Sequence, residues 1–375
     1  MLIIVLVTML FATFALIAFM DRATNDLLVT HRDAIARRLR MEAYSALEVT
    51  LAVLNNFQQV DNGLHSPAEG WTDPLGFAGY TPTEDRRVEV SFEDESGKIS
   101  LPRADAPTLS RLFQAWGVQP TDADSLADAM MGWMQRNHVY STPINPDYDE
   151  SAIPYEPPGR PMRSYAELAA IDKVRDFFYD KNGEPNDYWR RFVADVSLFN
   201  FAQPNINGAL PDTLAAVGQF DPNQQQMISD YLSGAGQYQS NGPQYFQDPR
   251  QAATVTGQGG NTTGFGTTIS ALRINITVYE GRTMFRLSAV VAPPNGATTV
   301  QETATSQKTQ TSASSAQTAA QKQSGPNATQ GTAGASGTNA STAATQNLRY
   351  PFTLLEIQEN DEIPPAPPPV ATPSS

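Results

Sequence analysis

The chain has 375 residues, with 25 Lys+Arg against 39 Asp+Glu, a formal net charge of -14, no cysteine and three histidines. That acidic balance argues against a nucleic-acid partner, which needs a basic face for phosphates. The lack of cysteine excludes disulfide scaffolds, thiolate zinc sites and cysteine nucleophiles, and His31, His65 and His138 leave little for metal or acid–base chemistry.

The first element is the uncharged stretch Met1–Met20. As a helix it is about 30 Å long, the thickness of a bilayer's hydrocarbon core. It lacks the basic flank and small-residue cleavage site of a secretory signal, so it reads as an anchor. No proline or glycine interrupts residues 21–55, where Leu27, Leu28, Ile35, Leu39, Leu47, Leu51 and Leu54 recur with a helical period. This spacing predicts one long helix, transmembrane over 1–20 and an amphipathic stem over 21–55. Arg22, Arg32, Arg37, Arg38 and Arg40 all follow the apolar stretch. The positive-inside rule then keeps the body in the cytoplasm unless a basic leader precedes Met1.

Residues 56–85 read as irregular. Arg87–Glu93 alternates as a half-buried strand, Glu95-Ser96-Gly97 turns, and Lys98–Leu101 resumes an extended path. A helical block follows. Asp105 caps a helix through Trp116, and Thr121–Asp124 reads as a capping box opening a helix to about Arg136. There Leu126, Met130, Trp133 and Met134 point inward, while Asp122, Asp124 and Asp128 cap or face solvent. Ser164 opens a short helix, Asn186–Val196 is helical, and Asp221-Pro222 starts a helix to Leu232. Phe177, Phe178, Tyr179, Tyr188, Trp189 and Phe192 are core residues by burial tendency, a binding groove being the alternative.

After a Gly/Asn/Gln-rich loop, Ile274, Ile276 and Val278 alternate with Arg273, Asn275 and Thr277, and Phe285, Leu287, Ala289 and Val291 alternate back as a hairpin. Residues 296–347 are Thr, Ser, Ala, Gln and Gly, too polar to offset ordering entropy, and are expected to be disordered. Arg349–Ile357 is a last strand, and 359–375 a Pro-rich acidic tail. A weak echo links Gly97–Pro102, leading to Leu109 and Leu112, with Pro204–Pro211, leading to Leu214 and Val217.

The expected fold class is α+β: a long transmembrane and stem helix packed on a small antiparallel sheet, pilin-like, interrupted by a large all-α insertion domain. A lone strand at 87–93 needs the later hairpin to pair with. The pilin-like part comprises 56–101, 269–295 and 348–358, and the insertion 102–268. No G-x-S-x-G, H-E-x-x-H or P-loop occurs, so the chain does not read as an enzyme.

Four runs carry a family resemblance: Asp94-Glu95-Ser96-Gly97-Lys98-Ile99-Ser100-Leu101-Pro102, Leu126–Trp133, Tyr148–Tyr155 with Ser164–Leu168, and Pro204–Leu214. With the stem and interrupted sheet, they resemble the K-type minor pseudopilins of type II secretion systems (general secretion pathway protein K). The resemblance implies a subunit at the tip of the pseudopilus, supporting protein export across the outer membrane. Its implied partners are I-, J- and H-type minor pseudopilins, the major pseudopilin, and a prepilin peptidase that removes a leader upstream of Met1. It also implies a single pass through the inner membrane and a periplasmic body. Val5 stands where most pseudopilins carry a glutamate that pairs with a neighbour's amino terminus, as in the K-type.

K-type relatives bind calcium in the helical domain, which makes Asp147, Asp149 and Glu150, oxygen ligands at close spacing, the candidates for a calcium site. The family's acidic "DxD" after the tryptophan helix is Gln135-Arg136-Asn137-His138 here. The alternative on residues alone is a single-pass periplasmic binding protein whose helical domain recognises a polysaccharide or secreted substrate.

Overall fold

A computed structural model describes all residues except 1, 84, 145, 147, 149–153, 258, 301–350 and 361–375. Helix α1 (Leu2–Asp61) is unbroken and about 90 Å long at 1.5 Å per residue. The expected single rod is present, and its first part is long and apolar enough to cross a membrane. After the short α2 (Pro74–Phe77), strand β1 (Arg87–Asp94) leads into β2 (Ile99–Ser100). The helical insertion holds α3 (Ala106–Ala115), α4 (Pro120–Met134), α5 (Val174–Phe178), α6 (Asp187–Asp195), the two-residue β3 (Val196–Ser197), α7 (Pro211–Gly218), α8 (Pro222–Ser233) and α9 (Arg250–Val255). The chain returns through β4 (Leu272–Glu280), β5 (Thr283–Ala292) and β6 (Thr353–Glu359).

The four long strands form one antiparallel sheet in the order β1-β4-β5-β6. Strand β1, which had no local partner, pairs along its whole length with β4, Val90 opposite Ile276. The even positions of β4 (Leu272, Ile274, Ile276 and Val278) point into the core as the alternation predicts. They meet the apolar stripe of α1, where Leu39, Ala43, Ala46, Leu47, Leu51 and Leu54 are all buried. Strand β5 departs from simple alternation, because Val290 and Ala292 on its other face are buried too, under Phe201, Ala271 and Ala297.

Several expectations change. The helix read from a capping box at Thr121–Asp124 begins at Pro120 instead, with Gln119 as an N-cap that makes no side-chain cap bond; proline's fixed φ and missing N–H suit the first turn. The helix read to Val196 stops at Asp195, since Val196 and Ser197 pair in parallel with Ile99 and Ser100. The insertion is thus stitched to the end of β1 by a two-strand ladder. The last strand runs later than Arg349–Ile357, at Thr353–Glu359. The polar stretch expected from 296 opens with bonded residues: the Ala297 N–H donates to the Ser270 carbonyl at 2.7 Å, and Thr298 bridges Asn200. Residues 301–347 of that stretch lie outside the described residues.

Two cores fill the insertion. The larger gathers α3, α4, α5 and α6 around Phe113, Met130, Phe178 and Phe192; the smaller gathers α7, α8 and α9 around Leu214, Phe220, Ile228, Phe246 and Phe265. Phe177, Tyr188 and Trp189 pack against the first core, so the aromatic run is core material. Phe177 and Tyr188 stack with centroids 4.4 Å apart.

Candidate functional site

The run Asp94–Lys98 sits where the sheet hands over to the insertion, and every polar member of it is occupied. Asp94 accepts from the Ser96 N–H at 2.9 Å, from the Ser96 hydroxyl at 2.6 Å and from Asn205 Nδ2 at 2.6 Å. Asn205 also donates to the His65 carbonyl at 3.0 Å, and its own N–H donates to the Ser96 carbonyl at 2.7 Å. The two echoing segments therefore touch. A Cβ at Gly97 would run into the Gly208 carbonyl, and one at Gly208 into Asp94, so neither position admits a side chain. The echo is a contact between two strand-to-helix transitions whose following helices, α3 and α7, also pack together.

Beneath that contact lies a buried ion cluster. Lys98 Nζ is 2.9 Å from Glu95 Oε2 and 2.7 Å from Glu93 Oε1, and Arg273 reaches Glu95 at 3.5 Å and Glu356 at 3.3 Å. Burial pushes the Glu95 carboxyl up, but Lys98 and Arg273 outweigh it and hold it below the usual range. Asp94 has no ion-pair partner among the described residues: burial raises it to about 6 against the pull of its bonds from Ser96 and Asn205. The cluster ties β1, β4 and β6 to the mouth of the insertion. Buried charges with all partners in place fix one geometry more than they add net stability.

The second run is spent in the same way. Asp128 was expected to cap or face solvent, but it is 1 % exposed on α4. It accepts from the Ser141 N–H at 2.8 Å, the Thr142 N–H at 2.8 Å and the Thr142 hydroxyl at 2.7 Å, with His138 Nε2 at 2.6 Å. These partners come from the loop after the helix, which folds back over it; Gly132 leaves room for the Tyr140 ring. Trp133 Nε1 donates to Glu167 Oε2 at 3.0 Å, and Glu167 also accepts from Arg160 at 3.1 Å and from the Arg163 N–H at 2.8 Å. The Trp133 helix and the segment opened by Ser164 are thereby locked together.

Residues 93–182, the span containing all these latches except His65, Asn205, Gly208 and the strand partners, match the family model described as Type II secretion system (T2SS), protein K. The same fold recurs in one chain of the crystal structure of the GspK-GspI-GspJ complex from the enterotoxigenic Escherichia coli Type 2 Secretion System. That likeness has a TM-score of 0.50 at 12% sequence identity, and covers 71% of this chain and 94% of that one. Among curated protein sequences none matches. The resemblance to K-type minor pseudopilins is borne out, and with it a pilin-like fold that carries a helical insertion.

The other candidate surface is the stem. Ile3, Phe11, Phe14 and Phe19 are each more than two-thirds exposed, and no part of the membrane-length window is buried. Beyond it, Leu27 and Met41 remain 71% exposed, with Ala34 midway between them. These three are seven residues apart and so share a face, which continues through the exposed Ser45 and Ala52 on the side opposite the sheet. At its upper end this helix is clamped to the body. Glu42 accepts from Tyr80 Oη at 2.5 Å, the Thr83 N–H at 3.2 Å and Arg86 at 3.0 Å. Glu359 at the end of β6 accepts from Arg40 at 2.9 Å and Tyr44 Oη at 2.6 Å.

The calcium candidates Asp147, Asp149 and Glu150 lie outside the described residues. Among the described residues no group of three His, Asp or Glu is placed to hold a metal ion. The sequence reading missed Glu42, Asn205 and Arg273 as functional parts. For Arg273 the available signal was a cation on the polar face of a hairpin in a chain that also holds Glu93, Glu95 and Glu356.

Proposed function

We propose that this chain caps the tip of a type II secretion pseudopilus as its K-type minor pseudopilin, held there by its stem and supporting export across the outer membrane. The observation that carries this reading is the bare, unbroken α1 beneath a protein K domain. A helix that leaves Leu27 and Met41 uncovered, with small residues between and beyond them, offers a seam against which a second apolar helix can bury itself. The solved complex of GspK with GspI and GspJ supports I- and J-type minor pseudopilins as the occupants; an H-type subunit and the major pseudopilin below them belong to the proposal alone. In this reading the apolar end of α1 crosses the inner membrane, the body stands in the periplasm, and a prepilin peptidase removes a leader upstream of Met1. Val5 fits the top position, because it has no carboxylate in the bilayer that needs a neighbour above. The role is structural rather than enzymatic: the polar side chains of the motif runs serve internal bonds.

The test is co-purification with I- and J-type partners from membranes, with and without residues 1–55. Capture that depends on those residues supports the assignment; a chain that stays monomeric beside both partners refutes it. A calcium ion held through Asp147, Asp149 and Glu150 belongs to the same proposal. Calorimetric titration of the soluble body with calcium should give heat that Asp149→Asn removes, and no heat in the native body rejects the ion.

A further inference from the structure

Where α3, α6 and α7 meet, a buried carboxyl group, Asp195, lies beside a partly exposed one, Asp212. Asp195, the last residue of α6, is 2 % exposed, and Asp212 stands in the first turn of α7. Asp195 lies against Asp212 and Trp116. The charged groups facing it are Asp212 and, from its own helix, Arg191. Arg191 is engaged elsewhere: its guanidinium lies 2.8 Å from Asp212 Oδ2 and stacks 5.4 Å over the Trp116 ring. From α3, Trp116 Nε1 also donates to Asp212 Oδ2 at 3.0 Å, and Arg111 reaches past to the Ala216 carbonyl at 2.7 Å. Trp116 and Arg191 thus converge on Asp212, while Asp195 Oδ1 and the buried Thr213 hydroxyl have no hydrogen-bond partner among the described residues.

An ionised carboxylate cannot rest there. It would be buried, short of donors and pressed against a second acid, each of which favours the protonated form. A carboxylic acid fits well, since its O–H can donate to Asp212 and make the pair a bridged unit. The pair also occupies a strategic joint. Asp195 ends the helix that feeds the β2–β3 ladder, and Asp212 begins the helix that opens the second core of the insertion.

We propose that Asp195 and Asp212 form a proton-operated latch between the two cores of the insertion, closed while a proton bridges the carboxyls and loosened when it leaves. The direction follows from linkage. Burial first, and then Asp212, raise Asp195 to about 7, against an ordinary value of 3.8. A raised carboxyl contributes stability that is fully present below its unfolded value and is lost as the pH climbs to the folded one. The joint is therefore tightest in acid and gives way toward neutrality, the reverse of the usual paired carboxylate.

The test uses the full chain in detergent micelles and reads the opening of α7 by hydrogen exchange of its amides from about pH 5.5 to about pH 8.5, corrected for intrinsic exchange. In the native protein the opening constant should rise by up to about tenfold per pH unit until near pH 7, then level off. Asp94 also titrates in this range, so the comparison with Asp195→Asn decides. A flattened rise in the variant supports the latch, and a profile that superimposes on the native one overturns it. If Asp195→Asn does not fold, the carbon-13 carboxyl titration of Asp195 in the native chain decides: a midpoint above about 5.5 supports the latch and a lower one overturns it.

Discussion

The two halves of α1 are built from similar apolar residues and do opposite things with them. Before about residue 30 the described apolar side chains are exposed and belong to no core among the described residues; from Ile35 onward they keep to one stripe and disappear into the sheet. The polar residues divide the same way. Arg22 and Arg32 project freely from the first half, whereas Glu42, only twenty residues beyond Arg22, is buried at 6 % exposure among Tyr80, Thr83 and Arg86. The difference teaches that apolar content alone does not name a helix's surroundings. Angular distribution does: all-round apolarity asks for lipid or neighbouring helices, and a stripe asks for the chain's own core.

That contrast can be broken hardest at Glu42. Glu42→Ala takes a carboxylate partner from the buried Arg86 and should cost about 3–5 kcal/mol in urea unfolding of the soluble body. Its acid limb should change as well. Burial pushes Glu42 up, but bonds from Tyr80, Thr83 and Arg86 hold it below its ordinary value. Its stabilisation is therefore present above the unfolded value and lost as pH falls, so the variant should lose part of the native protein's destabilisation below about pH 4.5. Next comes Leu54→Ala, which opens a cavity under β4 and should cost about 2–5 kcal/mol by the same measurement. Arg40→Ala removes a solvated surface pair with Glu359 and should move the urea midpoint only slightly. Leu27→Ala should shift stability by no more than about 0.5 kcal/mol, because Leu27 is 71% exposed among the described residues. A loss at Leu27 as large as that at Leu54 would erase the distinction between the halves.

The rod, the hairpin and the pairing of a lone strand across a long insertion could be read because each has a period or a missing partner. Leu39 to Leu54 mark one face, Ile274 to Val278 alternate, and Arg87–Glu93 had nowhere local to bond. What could not be read is non-periodic and depends on distant residues. Asp128 looked like a solvent-facing acid because its three partners, His138, Ser141 and Thr142, lie in a loop without pattern. Val196-Ser197 is too short a strand to register as one. The Asp94–Lys98 run was legible as a family mark but not as a mechanism, since its meaning depends on Asn205, Gly208 and Arg273, more than a hundred residues onward. The candidate latch at Asp195 had no signal at all, because burial made the site and no spacing announces it.

Strand β6 closes the sheet and grips α1 through Glu359, yet it is separated from β5 by residues 293–352. Synthesis proceeds from the amino terminus, so α1 and the hairpin are made well before the clasp on Arg40 and Tyr44 exists. The neck of the protein thus acquires its final rigidity only after residues 293–352 have been made. Any checkpoint on the readiness of a newly made subunit could be as simple as whether that late clasp has shut.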